Sequence, residues 1–160
     1  MSQNSSSTAT PDQVDVRGPR FAAWVTTAVL IATLLLTSIS ITVAAIVLGL
    51  QAVVFAIGAA RGPREHPYGR IFSTLVAPRL GPVQEREPVA PLRFAQLVGL
   101  IFAIVGTAGF SAGVPAGITV GLTATAFALF AAFLNAAFGI CLGCQLYPLV
   151  VRLRRTPAST

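Results

Sequence analysis

The reactive side chains in this sequence are few: the pair Cys141-Leu142-Gly143-Cys144, the single His66, and the carboxamides Gln51 and Asn135 set among apolar residues. The two cysteines are the only ones in the chain. On a helical turn their spacing brings both side chains to one face, where a small adjustment closes a disulfide. Such a pair suits three roles: exchange of electrons or sulfur with another thiol, ligation of a metal, or packing of two small side chains. Zinc wants four ligands, and Cys141, Cys144 and His66 leave one missing, so a metal site would need a second copy of the chain as a homodimer. A permanent disulfide does not persist in a reducing cytosol, which favours an exchanging pair. The start of a helix beside the pair would favour a thiolate, and the end of one would oppose it. Either cysteine can be the attacking thiol on this reading.

His66, in Arg64-Glu65-His66-Pro67-Tyr68, is a candidate base or electrostatic partner for a cysteine; its plainer reading is an interfacial loop histidine. Gln51 and Asn135 are expected to hydrogen-bond between helices. Asn135 lies six residues before Cys141, so on one continuous helix it points about 120° away and does not pair with the thiol. Paired carboxylates, a phosphate-cradling glycine loop and a nucleophile elbow are all missing from the sequence, and no cofactor is expected.

The elements that must position these groups are membrane spans. No charged residue occurs between Arg20 and Arg61, or between Arg93 and Arg152. A span needs about 20 apolar residues, so each run holds two. The expected fold is all-α: a polytopic membrane protein of four transmembrane helices, near 21–38, 42–60, 94–110 and 118–140. They form a membrane domain over 15–152, with a polar disordered tail 1–14, a connecting loop 61–93 and a basic C-terminal tail 153–160. The first span follows Arg17 and Arg20 like a signal peptide, but it is too long, and hydrophobicity resumes after Ser40; it reads as uncleaved. Within the loop, Pro67 to Val76 suits a short helix on the membrane surface, with Ile71, Phe72, Leu75 and Val76 on its apolar side and Arg70 reaching lipid phosphate. Gly113, Gly117 and Gly121 read as turn chemistry. No Asp, Glu, Lys or Arg falls inside a span, which argues against an ion or proton pathway.

Charge sets the orientation. All eleven basic residues are Arg, the net charge is +6, and every Arg flanks the apolar runs. Four spans put the N-terminal flank, the loop and the C-terminus on one side, which the positive-inside rule makes the cytoplasm. The charge therefore speaks for contact with anionic lipid headgroups of a bacterial plasma membrane, not for nucleic acid, which would need a basic face on a soluble domain. Counting about 20 residues from Ile118 ends the fourth span near Phe138. Gly139 and Gly143 permit a bend there, so the cysteines fall at the cytoplasmic interface, ahead of a surface segment Gln145 to Arg155 interrupted by Pro148. The chain also repeats itself. Pro19-Arg20-Phe21-Ala22 matches Leu92-Arg93-Phe94-Ala95, and Phe55-Ala56-Ile57 matches Phe127-Ala128-Leu129 at nearly the same offset. Two helical hairpins related by a pseudo-two-fold axis along the membrane normal would produce this pattern.

Several strings together resemble a known family. They are Val14-Asp15-Val16-Arg17-Gly18-Pro19-Arg20-Phe21, His66-Pro67-Tyr68-Gly69-Arg70, Arg93-Phe94-Ala95-Gln96, and Leu134-Asn135-Ala136-Ala137-Phe138-Gly139 running into the cysteine pair. The resemblance, over about Val14 to Arg152, is to a bacterial, largely actinobacterial family of four-span membrane proteins classed as a domain of unknown function (number 4395). It implies an integral inner-membrane protein with a CxxC near its end and no established activity, and thioredoxin-like or sulfurtransferase partners. The leading expectation is thiol-disulfide or sulfur exchange with a cytoplasmic partner. Its rivals are a non-enzymatic scaffold or accessory subunit with packed cysteines, and a metal site shared across a dimer.

Overall fold

The computed structural model describes residues 12–155. Among the described residues six α-helices follow in chain order: α1 (Arg17–Leu36), α2 (Ile41–Arg61), the short α3 (Pro67–Ile71), which runs on into a π-helical and a 3-10 turn over 72–79, α4 (Val89–Ser111), α5 (Pro115–Phe138) and α6 (Leu142–Arg155). Two short strands, β1 (Gln13–Asp15) and β2 (Arg86–Pro88), make an antiparallel ribbon in which Val14 faces Glu87. α1, α2, α4 and α5 are each long and apolar enough to cross a membrane.

Local chemistry sets the ends of these helices. Ser40 adopts extended backbone and its hydroxyl accepts the Val43 N–H at 3.4 Å, which starts α2. Pro115 occupies the first turn of α5, where a missing N–H is harmless. Gly62 and Gly139 terminate α2 and α5 with φ of +88° and +70°, a region that side chains with a Cβ avoid. α1 and α4 begin before the apolar runs do, at Arg17 and Val89. Hydropathy marks where lipid starts, whereas backbone hydrogen bonding carries a helix past that boundary.

The four long helices pack in the cyclic order α1, α2, α4, α5, each against its two neighbours. A half-turn that carries α1 onto α4 and α2 onto α5 preserves this order, as a two-hairpin repeat requires. Leu30, Leu48, Phe55 and Phe110 fill the centre among buried alanines. Small residues bring backbones together: a Cβ on Gly109 would sit 2.6 Å from the Gly117 carbonyl oxygen. Gly117 and Gly121 thus serve the α4–α5 contact more than the turn, because the turn is only residues 112–114. Thr27, Thr107 and Thr125 return their hydroxyls to carbonyls one turn back, so these polar groups need no partner helix.

The flanking segments depart from expectation. Gln13 and Val14, assigned to a polar tail, are tied into the ribbon by ladder pairing with β2. Residues 153–155 continue α6, and the remaining tail residues, 1–11 and 156–160, lie outside the described ones. The loop segment from Pro67 is helical as expected, yet it does not simply lie on the surface. Phe72 is buried against the Phe21 ring at 5.8 Å, and the Tyr68 hydroxyl donates to Gln51 Oε1 at 2.7 Å. Gln51 thus bonds between helices as expected, its partner lying on α3 of the loop segment.

Candidate functional site

The backbone at the end of the second hairpin decides what the cysteines can do. α5 stops at Gly139, whose N–H bonds the Asn135 carbonyl at 3.0 Å, while Ile140 N–H bonds Leu134 at 3.2 Å. The chain then restarts as α6, and Cys141 is the residue immediately before it. Its Sγ accepts the Cys144 N–H at 3.2 Å, the position a helix-capping side chain takes. Cys141 therefore sits at the positive end of a helix, although it follows a span whose own end is negative. The pair is close enough to form a disulfide, with Cα atoms 5.2 Å apart, and both residues are half-buried. Gly143 explains itself here: a Cβ would stand 2.6 Å from Ala95 Cα, so its absence lets the first turn of α6 lie on α4. Tyr147 completes that contact against Phe94, with ring centroids 6.0 Å apart.

The first hairpin ends the same way. Gly62 closes α2, and His66 stands immediately before α3. The last carbonyls of α2, Ala59 and Ala60, accept from Arg93 Nε at 2.9 Å and Nη2 at 2.7 Å. Arg20, the repeat partner of Arg93, lays its guanidinium against Gly139 at the end of α5. Each hairpin thus has an arginine from the other at its negative helix end.

His66, in the loop as expected, is only 2% exposed. Gly58 makes room for it, since a Cβ there would meet its ring at 2.5 Å, and Tyr68 packs edge-on at 5.2 Å. Neither ring nitrogen has a hydrogen-bond partner, nor do the buried Gln51 Nε2 and Gln96 Oε1. Burial pushes the imidazole pKa down to about 4, opposed only in part by the adjacent Gln96 amide. The ring is neutral at neutral pH.

These residues border two adjoining cavities. One, of about 490 Å³, takes in His66, Gly69 and Phe72 beneath the ribbon. The other, of about 370 Å³, has Cys141 and Asn135 along its border. Pro19 and Ala22 of α1 and Leu92 and Gln96 of α4 line both, forming a thin partition between diagonal helices. Asn135 and Cys141 border the same cavity, and no hydrogen bond joins the Asn135 side chain to either cysteine among the described residues; the left-handed Gly139 ends the helix on which the 120° angle was counted. His66 and the thiols do not share one; the partition stands between them. Among the described residues, no three His, Cys, Asp or Glu side chains converge to hold a metal. Gln96 and Arg20 were not singled out from sequence. An uncharged polar residue inside an apolar run was the available signal for the first, and the repeat with Arg93 for the second.

Comparison with curated proteins and with solved structures gives no match. The profile of one family, described only as a domain of unknown function (DUF4395), matches residues 14–152, from the ribbon through the cysteine pair and into α6, and the chain belongs to that family.

Proposed function

We propose that this protein is a multi-pass protein of the bacterial plasma membrane that exchanges electrons or sulfur through Cys141 and Cys144, with Cys141 as the attacking thiol. The observation that carries this reading is the place of Cys141 at the start of α6, with its sulfur accepting the Cys144 N–H. When the pair is reduced, that N–H and the helix dipole stabilise a negative sulfur at Cys141, and Cys144, a turn further in, lacks this help. Arg20 beside Gly139 adds a positive group near the same corner. The Arg-bearing ends and loop face the cytoplasm on the positive-inside argument, so the soluble partner is a cytoplasmic dithiol protein of thioredoxin-like type or a sulfurtransferase. Exposed arginines such as Arg70 meet anionic headgroups.

The test uses the Cys141→Ser and Cys144→Ser variants in native membranes. Cys144→Ser should alkylate about tenfold faster than Cys141→Ser at neutral pH and should retain mixed disulfides with soluble thiol proteins. Equal, slow alkylation with no trapped partner would favour the scaffold reading, in which the disulfide merely staples α6 to the end of α5. Labelling with an impermeant thiol reagent from each side of the membrane settles the orientation.

A further inference from the structure

The cavity beside Cys141 is built for more than exposing a sulfur atom. Its deeper wall is aromatic, with Phe55, Phe102, Phe127 and Phe130. Phe127 and Phe130 are 59% and 58% exposed, so their part of that wall belongs to the outer flank of the bundle, where lipid would lie, while Phe55 belongs to the core. Phe127 precedes the last residue of α5 by a distance of roughly 17 Å along the helix axis. The cavity thus runs from the disulfide at the helix end to hydrocarbon depth. Its polar lining is sparse: Thr26, Asn135 and Gln96, the last shared with the neighbouring cavity, where its amide meets the His66 ring.

An occupant that fits must enter from lipid, be apolar over most of its length, and carry a small polar head that can hydrogen-bond a carboxamide such as that of Asn135 or Gln96. Beside a redox-active thiol pair it meets a further requirement: to change the state of the pair, it must take up two electrons and two protons. A phospholipid satisfies the first set of conditions and fails the last. A quinone with an isoprenoid tail satisfies all of them. Its ring suits the aromatic wall, its tail suits the lipid-facing flank, and its carbonyls become O–H donors on reduction.

We propose that this cavity binds a lipid-soluble quinone, which oxidises the Cys141–Cys144 dithiol after a soluble thiol partner has reduced it. The proposal rests on the thiol-exchange reading. The Cys141 thiolate adds to a ring carbon, forming an S–C bond, and the displaced electron pair goes to a carbonyl oxygen, which is protonated. Cys144 then gives up its proton and attacks the Cys141 sulfur. The S–S bond forms, the S–C bond breaks with its electron pair returning to the ring, and the second oxygen takes the second proton. The products are a disulfide and a hydroquinone.

The experiment uses the full-length protein in lipid nanodiscs, reduced, freed of reductant and kept anaerobic. Decylubiquinone is the probe, because its fully substituted ring does not form stable thiol adducts. Quinol formation should match thiol loss in amount, and Cys144→Ser should form no quinol. Filling the cavity with Ala131→Phe should lower the ratio of quinone reduction to exchange with glutathione disulfide about tenfold. Gln96→Leu should lower the same ratio by less, through a higher KM for quinone. If the wild-type pair exchanges with glutathione disulfide but leaves decylubiquinone oxidised, the quinone proposal is overturned and the exchange reading stands. Quinone reduction at an unchanged ratio in both variants also overturns it, by showing that the cavity is not used. A pair inert to both reagents removes both readings together.

Discussion

The two hairpins of this protein end alike and then differ in one decisive respect. Each long helix stops at a glycine with positive φ, Gly62 or Gly139, and each has an arginine from the other hairpin at its last turn. Each chain segment then starts a new helix from a chemically distinctive residue, His66 in one and Cys141 in the other. His66 is sealed behind Tyr68, Gly58 and Gln96, whereas the cysteines are half-buried and border a cavity lined in part by outward-facing rings. Shared backbone geometry therefore does not imply shared chemistry. A helix start favours an anionic sulfur, which on the proposed reading makes the second hairpin end the nucleophilic one, while burial holds the imidazole neutral.

The sharpest way to break this comparison is to remove the chemistry from one end only. Cys141→Ser should abolish exchange with a soluble disulfide, and Cys144→Ser should still attack and stall as a mixed disulfide. His66→Gln should leave the ability to form that mixed disulfide. Loss of trapping in His66→Gln would show that the histidine acts on the thiol through the partition, and that the two ends form one site.

The histidine end has its own signature in pH. Its folded-state pKa of about 4 lies below the ordinary 6.5, so the unfolded chain binds the proton more readily. Stability should be complete above pH 6.5, fall as pH drops from 6.5 toward 4, and change no further through this group below that. The full shift corresponds to roughly 3 kcal/mol. The same cavity bears Asp15, Arg64 and Arg86, and Asp15 is held below its usual range by Arg17, so it loses its contribution only at lower pH. Glu87 is shifted upward by burial and by Glu85, which makes it oppose the histidine in the same window. Thermal unfolding in detergent as a function of pH, for the wild type and His66→Gln, isolates the His66 part as the difference. Parallel curves would contradict the burial argument.

Two glycines test the packing at each end. Gly58→Ala would press a Cβ to 2.5 Å from the His66 ring, and Gly143→Ala would press one to 2.6 Å from Ala95 Cα. Both overpack a tight contact and should cost about 2 kcal/mol. They should differ in what comes loose. Gly58→Ala displaces a side chain and should weaken the pH dependence above, whereas Gly143→Ala meets backbone and should lift α6, speeding alkylation of the reduced cysteines. If Gly143→Ala leaves alkylation unchanged, the docking of α6 on α4 does not control the pair.

How much of this was readable in the sequence follows from which forces are local. Span number came from the absence of charge, and the hairpin repeat from Arg20 and Arg93 with their neighbours, since desolvating a charge is too costly to hide. The cysteine pair and its place near the end of a span were legible for the same reason. The direction of the helix dipole at Cys141 was not. It depends on whether the chain restarts its helix at Leu142 or later, and only the left-handed turn at Gly139, with Gly143 on Ala95, decides that. The burial of His66 was not legible because it comes from Gly58 and Gln96, 8 and 30 residues away, which no local pattern records. The ribbon was missed because it joins Val14 to Glu87 across a whole hairpin, and three-residue strands leave no periodicity to detect.

The smallest expected effect probes the contact that draws the loop into the bundle. Gln51 lies ten residues before the end of α2, about 15 Å along the axis from Arg61, and its Oε1 accepts from the Tyr68 hydroxyl at 2.7 Å. Tyr68→Phe keeps the ring that packs against His66 and deletes only the donor, leaving Gln51 with a second unpartnered atom beside Nε2. Such bonds between membrane segments are worth about 0.6 to 2 kcal/mol, so the loss should be near 1 kcal/mol. Reactivity of the cysteines, on the other side of the partition, should not move. A stability loss several times larger, or a change in thiol alkylation, would mean that the histidine end supports the thiol end mechanically, and the two would then have to be treated as one cooperative unit.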